Sequence, residues 1–446
     1  MDWAVVVKAE QLNYIIGNPP FVGHQWRSAE QKTDMGSVFP KSGKFGKLDF
    51  VAAWFYKSAL FCQDTATDIA FVSTNSITMG EQTAILWQPI LELGHRLHFA
   101  HRTFQWHNDA KGKAAVHCVI VGFGQQQKTK KWLFDYPDIQ GEPNRIKADN
   151  INPYLVDAPN IILPSRSKPQ SNMPAMTKGN QPTEGGNLIL SPDERLDLIV
   201  NYPQLEQWIK PFIGGRELIN GIDRYCLWLA DTPLKTLREL AQIPEIKARL
   251  EDVKVARLKS PTASVREYAN TPYLFTQNRQ PKERFLAVPE VSSERRDYIP
   301  MVLMSANNIP SNKIYMLPDV GLYEFGILIS QIHMDWMRTV AGRLKSDYSY
   351  SPNVYQLFPW PEPTEQQHQK IETLAQAVLD ARQDEVDKDA STTLADLYDP
   401  DLMPPKLRKA HKQLDKAVDS LYQKKAFTSP LDRVKHLFKL YEKLCQ

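Results

Sequence analysis

The hydrophobic pattern changes period several times over the first 150 residues. NYIIGN (13–18) is a short apolar run closed by a loop signal, which predicts a buried strand. KLDFVAAWFYKSALFCQ (47–63) carries apolar residues all round at helical spacing, the pattern of a buried helix. DIAFVSTNSI (68–77) reads as a strand opening into Ser, Thr and Asn, and GEQTAILWQPILELG (80–94) as a helix interrupted near its end by Pro89 and closed by Gly94. HRLHFAHRTF (95–104) and AAVHCVIVGFG (114–124) add two strands. Strands alternating with helices predict an α/β layer with a mostly parallel sheet. Ligands of such layers gather at the carboxyl ends of the strands, where Asn18 and the Ser73-Thr74-Asn75 run fall.

From about residue 150 to 187 the chain turns rich in Pro, Ser, Asn and Gly, the composition of an extended connector crossing the surface. From 188 to 360 it is irregular, with short strand-like pieces RYCLWLA, ERFLAVPEV and YEFGILIS, and predicts a mixed α/β or β-rich second domain. From Thr364 onward helix formers dominate, apart from the LYDPDLMPP break. Residues 364–400 hold nine acidic and three basic residues, and 401–446 hold eleven basic and five acidic. An acidic helix beside a basic one predicts a small packed helical bundle. The divisions expected are 1–150, a connector over 151–205, a second domain over 206–362, and an all-α domain over 363–446.

Composition narrows the function classes only a little. With 446 residues there is room for two or three domains, and the 42% apolar content is ordinary for a globular chain. No run approaches the ~20 apolar residues of a membrane helix, and no basic region precedes the brief apolar run after Met1, so the expected setting is cytoplasmic with no membrane partner. Cys62, Cys118, Cys226 and Cys445 form no C-x-x-C pair, which argues against zinc ribbons, iron–sulfur clusters and disulfide frameworks. A net charge of +3 is compatible with nucleic-acid binding without indicating it.

The chemistry concentrates at Asn18-Pro19-Pro20-Phe21. An exocyclic amino group on a base is a poor nucleophile because its lone pair is delocalised into the ring. A carboxamide oxygen and a nearby main-chain carbonyl, each accepting one of its N–H bonds, favour the lone-pair-bearing form. Proline fixes the backbone so that the Pro19 carbonyl can point inward, and an aromatic ring offers a face for an extruded base. The plain alternative is a Pro-Pro turn after a strand with Asn as a local cap and Phe as core.

These four residues match the signature of S-adenosylmethionine-dependent amino-methyltransferases, in the form typical of adenine-N6 enzymes. YIIGNPPFVG, GKLDFVAAWFYKSA, AFVSTNSI, FAHRTFQW and GKAAVHCVIVGF resemble the catalytic half of the MmeI-like (type IIL/IIG) restriction–modification enzymes. GGNLILS, PFIGGRELINGIDRYCLWL, VSSERRDYIP, GRLKSDYSYSPNVYQLFPWP and LADLYDP resemble that family's target-recognition and C-terminal helical domains. The resemblance implies a partial class I methyltransferase sheet, then a mixed α/β target-recognition domain, then a small all-α domain. It implies an adenine gripped by Asn18 and Pro19 and stacked on Phe21, with a second aromatic closing the pocket, for which Phe104 and Trp106 are the two candidates. Asp49, at a helix start, reads as an N-terminal cap.

The same resemblance places the cofactor strands, with their Gly-rich turn and ribose-binding acid, before the Asn-Pro-Pro strand. Only a short preamble precedes Asn18, so the expectation is a truncated or split form whose S-adenosylmethionine site and nuclease lie outside this chain or in a companion polypeptide. A catalytically inactive DNA-binding remnant is the alternative, and an enzyme acting on protein glutamine or RNA is a third. Glu142 and Lys147 are five apart in a Pro/Gly-rich loop, the wrong spacing for a nuclease metal site. His95, His98 and His101 alternate faces on a strand and cannot converge on a metal, so no metal site is expected. Double-stranded DNA is the expected partner. Candidates to touch it are Arg257, Lys259, Arg279, Arg295, Arg296, Arg343 and Lys345, with Asn278, Gln280 and Tyr348 beside them.

Overall fold

The NYIIGN run forms strand β1 (Tyr14–Gly17), which stops where two prolines remove successive main-chain donors. The computed structural model describes residues 3–40, 44–106, 116–169, 171 and 173–445. After β1 come α1 (Ala29–Val38), α2 (Ala52–Phe61), β2 (Asp68–Thr74), α3 (Gly80–Glu92), β3 (Arg96–Trp106), β4 (Val116–Gly124), β5 (Lys131–Asp135) and β6 (Asn144–Ala148). They build one six-stranded sheet in the order β1-β2-β4-β3-β5-β6.

The sheet is mixed, not mostly parallel. β1 pairs with β2 and β3 with β5 in parallel, whereas β4 runs antiparallel between β2 and β3, and β6 runs antiparallel to β5. β3 and β4 pair antiparallel out to Trp106 and Val116, so the chain reverses direction between them where a helical crossover would preserve it. Helix α3 runs through Pro89 to Glu92 without interruption, and Leu93 N–H bonds the Pro89 carbonyl at 3.1 Å. The apolar surface of α2 explains its burial: Phe55 lies 5.2 Å from Phe71 and stacks on Phe123 at 5.8 Å, and Trp87 of α3 packs edge-on to both Phe55 and Phe123. β2 alternates accordingly, with Ile69, Phe71 and Ser73 buried under the helices and Asp68, Ala70, Val72 and Thr74 half-buried on the other face.

β1 is the sheet's edge. Its Tyr14 and Ile16 are 68% and 76% exposed, and Val5, Val6 and Trp26 nearby are also open to solvent. The strand predicted to be buried is therefore an exposed apolar edge.

Beyond the sheet, the stretch read as a surface connector contributes to the core instead. Tyr154, Val156, Ala158, Leu163 and Met176 are buried in a cluster shared with the second domain and the C-terminal helices. Asn152 makes this possible by taking the main-chain N–H groups of Tyr154 and Val156 on its side-chain oxygen, at 3.0 and 3.1 Å. The second domain holds two four-stranded sheets and a three-stranded one. RYCLWLA and ERFLAVPEV supply strands Tyr225–Leu227 and Phe285–Pro289 as expected. YEFGILIS does not: it forms helix Leu322–Leu328, capped at Gly321 by Glu324. The C-terminal region is helical over Glu365–Lys388, Leu394–Leu397, Pro405–Tyr422 and Pro430–Cys445. It shares its core with helices Leu322–Leu328 and Gln331–Val340, and the acidic and basic helices are tied by an Asp384–Lys406 ion pair.

Candidate active site

The end of β1 presents Asn18 to solvent, buries Pro19, and turns Phe21 half-buried against the sheet's core beside Ile15 and Val22. Among the described residues, nothing donates a hydrogen bond to the Pro19 carbonyl or engages the Asn18 carboxamide. Two acceptors thus stand free beside one aromatic ring at a strand's carboxyl end. The parallel pairing of β1 with β2 sets them next to the Ser73-Thr74-Asn75 run. Buried Asn75 reaches on to β3, donating to Thr103 Oγ1 at 3.3 Å.

β3 carries both aromatic candidates. Phe104 stacks on Tyr136 with centroids 5.2 Å apart and planes 25° apart, so one of its faces is already covered. Trp106 lies 6.1 Å from Phe104, tilted by 47°, and is 42% exposed. Residues 107–115 lie outside the described residues.

Asp49 does not cap α2. The cap position is Val51, with no side-chain cap bond, and the buried Asp49 carboxylate instead accepts from His24 N–H at 3.1 Å, Ser76 Oγ at 2.6 Å and Gln82 Nε2 at 3.1 Å. The sequence signalled Ser76 through the polar run after β2, but nothing in it pointed to Gln82.

The three histidines, His95 just before β3 and His98 and His101 on it, have separate partners. His95 Nε2 lies 2.9 Å from the Ala59 carbonyl, His98 Nδ1 3.2 Å from Asp68, and His101 Nδ1 2.8 Å from the Tyr136 hydroxyl. Burial depresses the pKa of each. His98 is buried on β3, an interior strand of the sheet, and His95 is buried just before it. Lys147 stands on β6 and not in a loop, and no group of three metal-ligating side chains occurs among the described residues.

Three family models together match almost the whole chain: the MmeI DNA-methyltransferase domain over 1–135, the MmeI target recognition domain over 157–362 and the MmeI C-terminal domain over 363–446. The solved structure of the type IIL restriction-modification enzyme MmeI in complex with DNA superposes on all of this chain and 59% of its own, at 44% identity and a TM-score of 0.87. The chain belongs to the MmeI family. DNA methyltransferase A of Bacillus subtilis (strain 168) is 40% identical over 450 residues, which are all of this chain and 50% of that protein. The chain therefore spans about half the length of that relative.

Asn18–Phe21, Asp49, Phe104 and Trp106 lie in the stretch matched to the MmeI methyltransferase domain, and all seven basic candidates in the stretch matched to its recognition domain. The two meet at the carboxyl ends of β2 and β3. Glu294 Oε2 lies 3.7 Å from His117 Nε2 of β4 and 2.7 Å from Arg343 Nη1. Gly80, at φ 61° before α3, lies so close to Gly342 that a side chain there would press on its Cα at 3.1 Å. Burial and the Arg343 charge both lower the His117 pKa, against a smaller rise from Glu294.

The basic candidates divide. Lys259, Arg279 and Lys345 are exposed, and Lys345 sits at φ 58° on the tip of the hairpin joining Gly342–Leu344 to Asp347–Ser349, beside exposed Leu344. Arg295 is exposed but paired with Asp401. Arg296 is half-buried, and burial lowers its pKa. Arg343 is tied to Glu294 and the Tyr348 hydroxyl. Arg257 is a correction: it is 1% exposed and donates five hydrogen bonds to the carbonyls of Pro182, Thr183, Tyr268, Thr271 and Leu274, so its guanidinium cannot reach DNA.

Proposed function

We propose that this chain is the catalytic half and specificity region of a DNA adenine-N6 methyltransferase of a restriction–modification system. The observation that carries the reading is the pair of unengaged acceptors, Asn18 Oδ1 and the Pro19 carbonyl, beside the Phe21 ring. An adenine extruded from duplex DNA would stack on Phe21 and donate its two N6 hydrogens to these oxygens, leaving the nitrogen lone pair free to attack. Trp106, with its exposed ring, is the better placed of the two aromatics to close the pocket, since Phe104 is stacked on Tyr136.

S-adenosylmethionine, the methyl donor that this reading implies, supplies an electrophilic carbon. The described residues do not fit it: the edge of β1 exposes apolar Tyr14 and Ile16, the acidic Asp68 opposite Tyr14 is already paired with His98 and Lys128, and no Gly-rich turn leads into the strand. The exposed edge of β1 supports a further part of the reading, that a companion polypeptide or the remainder of a longer chain completes the sheet and holds the cofactor.

The test is cofactor binding and methyl incorporation into DNA. The chain alone is expected to bind duplex DNA but not S-adenosylmethionine. Adding a polypeptide with the preceding region of a relative should yield N6-methyladenine in hydrolysed DNA. Methylcytosine as the product would overturn the adenine assignment. Tight cofactor binding by this chain alone would overturn the split arrangement.

A further inference from the structure

Asp49 is a buried carboxylate to which the proposed chemistry gives no role, yet it touches three segments that flank the pocket. It stands just before α2, and three elements converge on it: the loop after Phe21 through His24 N–H, the loop after β2 through Ser76, and the first turn of α3 through Gln82. The Gln82 contact is reciprocal, because Asp49 N–H donates to Gln82 Oε1 at 2.9 Å. Beside it Phe50 N–H bonds the Val22 carbonyl at 2.8 Å. The two residues 49 and 50 therefore grip positions 22 and 24 like a strip of ladder in which a side chain stands in for one main-chain acceptor. Buried Arg27 closes the segment's far end, donating to the His24 carbonyl at 3.3 Å and the Gly46 carbonyl at 2.6 Å.

The proton directions make this a connected path. An ionised carboxylate only accepts, so the Ser76 hydroxyl donates to Asp49. Thr74 Oγ1, 2.7 Å from Ser76 Oγ, must then be the donor in that contact. Asn75, the intervening residue, continues to Thr103, next to Phe104 on β3. Polar contacts thus run beneath the strand ends from the loop behind Phe21 to the strand bearing Phe104 and Trp106.

We infer that Asp49 is a positioning residue, which holds the Asn18–Phe21 grip at a fixed distance from the strand ends that carry the opposite wall of the pocket. The inference rests on the adenine reading for its purpose but not for its geometry. Asp49→Ala removes all three acceptor contacts, whereas Asp49→Asn keeps one oxygen for His24 and Gln82 and offers an N–H₂ that Ser76 can accept.

The test uses the full chain with two readouts. In hydrogen–deuterium exchange, Asp49→Ala should speed exchange of peptides covering 18–28 by roughly tenfold or more, the loss of a hydrogen bond to a charged acceptor, and Asp49→Asn should restore most of the protection. In fluorescence, the probe is duplex DNA with 2-aminopurine opposite an abasic site, where extrusion costs little. Asp49→Ala should lose most of the change in 2-aminopurine signal while anisotropy shows unaltered DNA affinity, and Asp49→Asn should regain it. Unchanged exchange over 18–28 in Asp49→Ala, or an Asn variant as impaired as the Ala variant, overturns the positioning role. If Asp49→Ala unfolds throughout, Ser76→Ala carries the same test at smaller amplitude, and unaltered exchange over 18–28 in that variant overturns the role. Absence of a 2-aminopurine response in the unsubstituted chain overturns the adenine reading, and the exchange result still decides the clamp.

Discussion

Arg257 and Lys259 stand two residues apart in VARLKS, and their side chains end in opposite environments. Helix Pro244–Leu258 turns Arg257 inward, where its N–H groups donate to five main-chain carbonyls of the segments packed against it, while Lys259 projects into solvent. A pair of basic residues in sequence therefore carries two different meanings, and only the fold separates them. Arg257→Ala leaves the Thr183 and Leu274 carbonyls without their donor and takes one of two from Pro182, Tyr268 and Thr271, and should destabilise the chain by about 3 kcal/mol, read as a lowered urea midpoint. Its effect on DNA binding should follow unfolding, with the salt slope of the folded fraction unchanged. Lys345→Ala touches no such network. It should leave the midpoint within error and reduce the salt slope of binding to mixed-sequence duplex by about one, as expected when one phosphate contact is lost. A slope unaltered by Lys345→Ala would remove the hairpin tip from the DNA surface.

At the scale of elements, legibility follows what each short pattern can distinguish. NYIIGN ends on residues that cannot continue a strand or helix, so both the strand and its stop were readable, and the proposed grip at Asn18–Phe21 sits at that stop. YEFGILIS had no such punctuation. An apolar run that short fits a buried strand or a buried helix equally, and tertiary packing decided for the helix: Tyr323, Phe325, Ile327 and Leu328 are all buried at once. The direction of β4 was likewise out of reach, because a strand's pattern does not say which neighbour it will lie beside. Its register can be tested at Gly122, which faces Phe99 across the β3–β4 pair. A methyl group there would meet the Phe99 ring at 2.1 Å, and the register shift between Leu97 and Phe99 is what lays the ring over the glycine. Gly122→Ala should cost about 1–3 kcal/mol by overpacking. Gly122→Ala with Phe99→Leu should recover part of that loss in a double-mutant comparison, and additive losses would mean that the two positions do not face each other.

The whole molecule is held by a core that ignores the domain divisions of the sequence, and this core gives the chain a definite response to acid. Its largest cluster joins the stretch around Tyr154, the second domain and the C-terminal helices, and it encloses His333 and His411. His333 meets the Tyr350 hydroxyl at 2.9 Å, and burial carries its pKa down to about 3; burial also holds His411 well below its usual range. A depressed histidine makes the unfolded state the better proton acceptor, so its contribution to stability is present above the ordinary histidine pKa and is lost as pH falls below it. Taking pH from about 6.5 to 5 should cost roughly 2 kcal/mol for each histidine that stays neutral over that range. Asp415 works against this. Burial raises its pKa to about 6, despite hydrogen bonds from Tyr298 and Gln331, so its contribution is present in acid and is lost as pH rises through 6. The two groups can be separated by urea unfolding at pH 8, 6.5 and 5. His333→Gln should flatten the decline between 6.5 and 5 by about 2 kcal/mol relative to the unsubstituted chain. Asp415→Asn should steepen it, because a group that gains stability toward acid has been removed. If both variants fall in parallel with the unsubstituted chain, the shared core does not set the acid response, and the exposed carboxylates and ion pairs of the surface do.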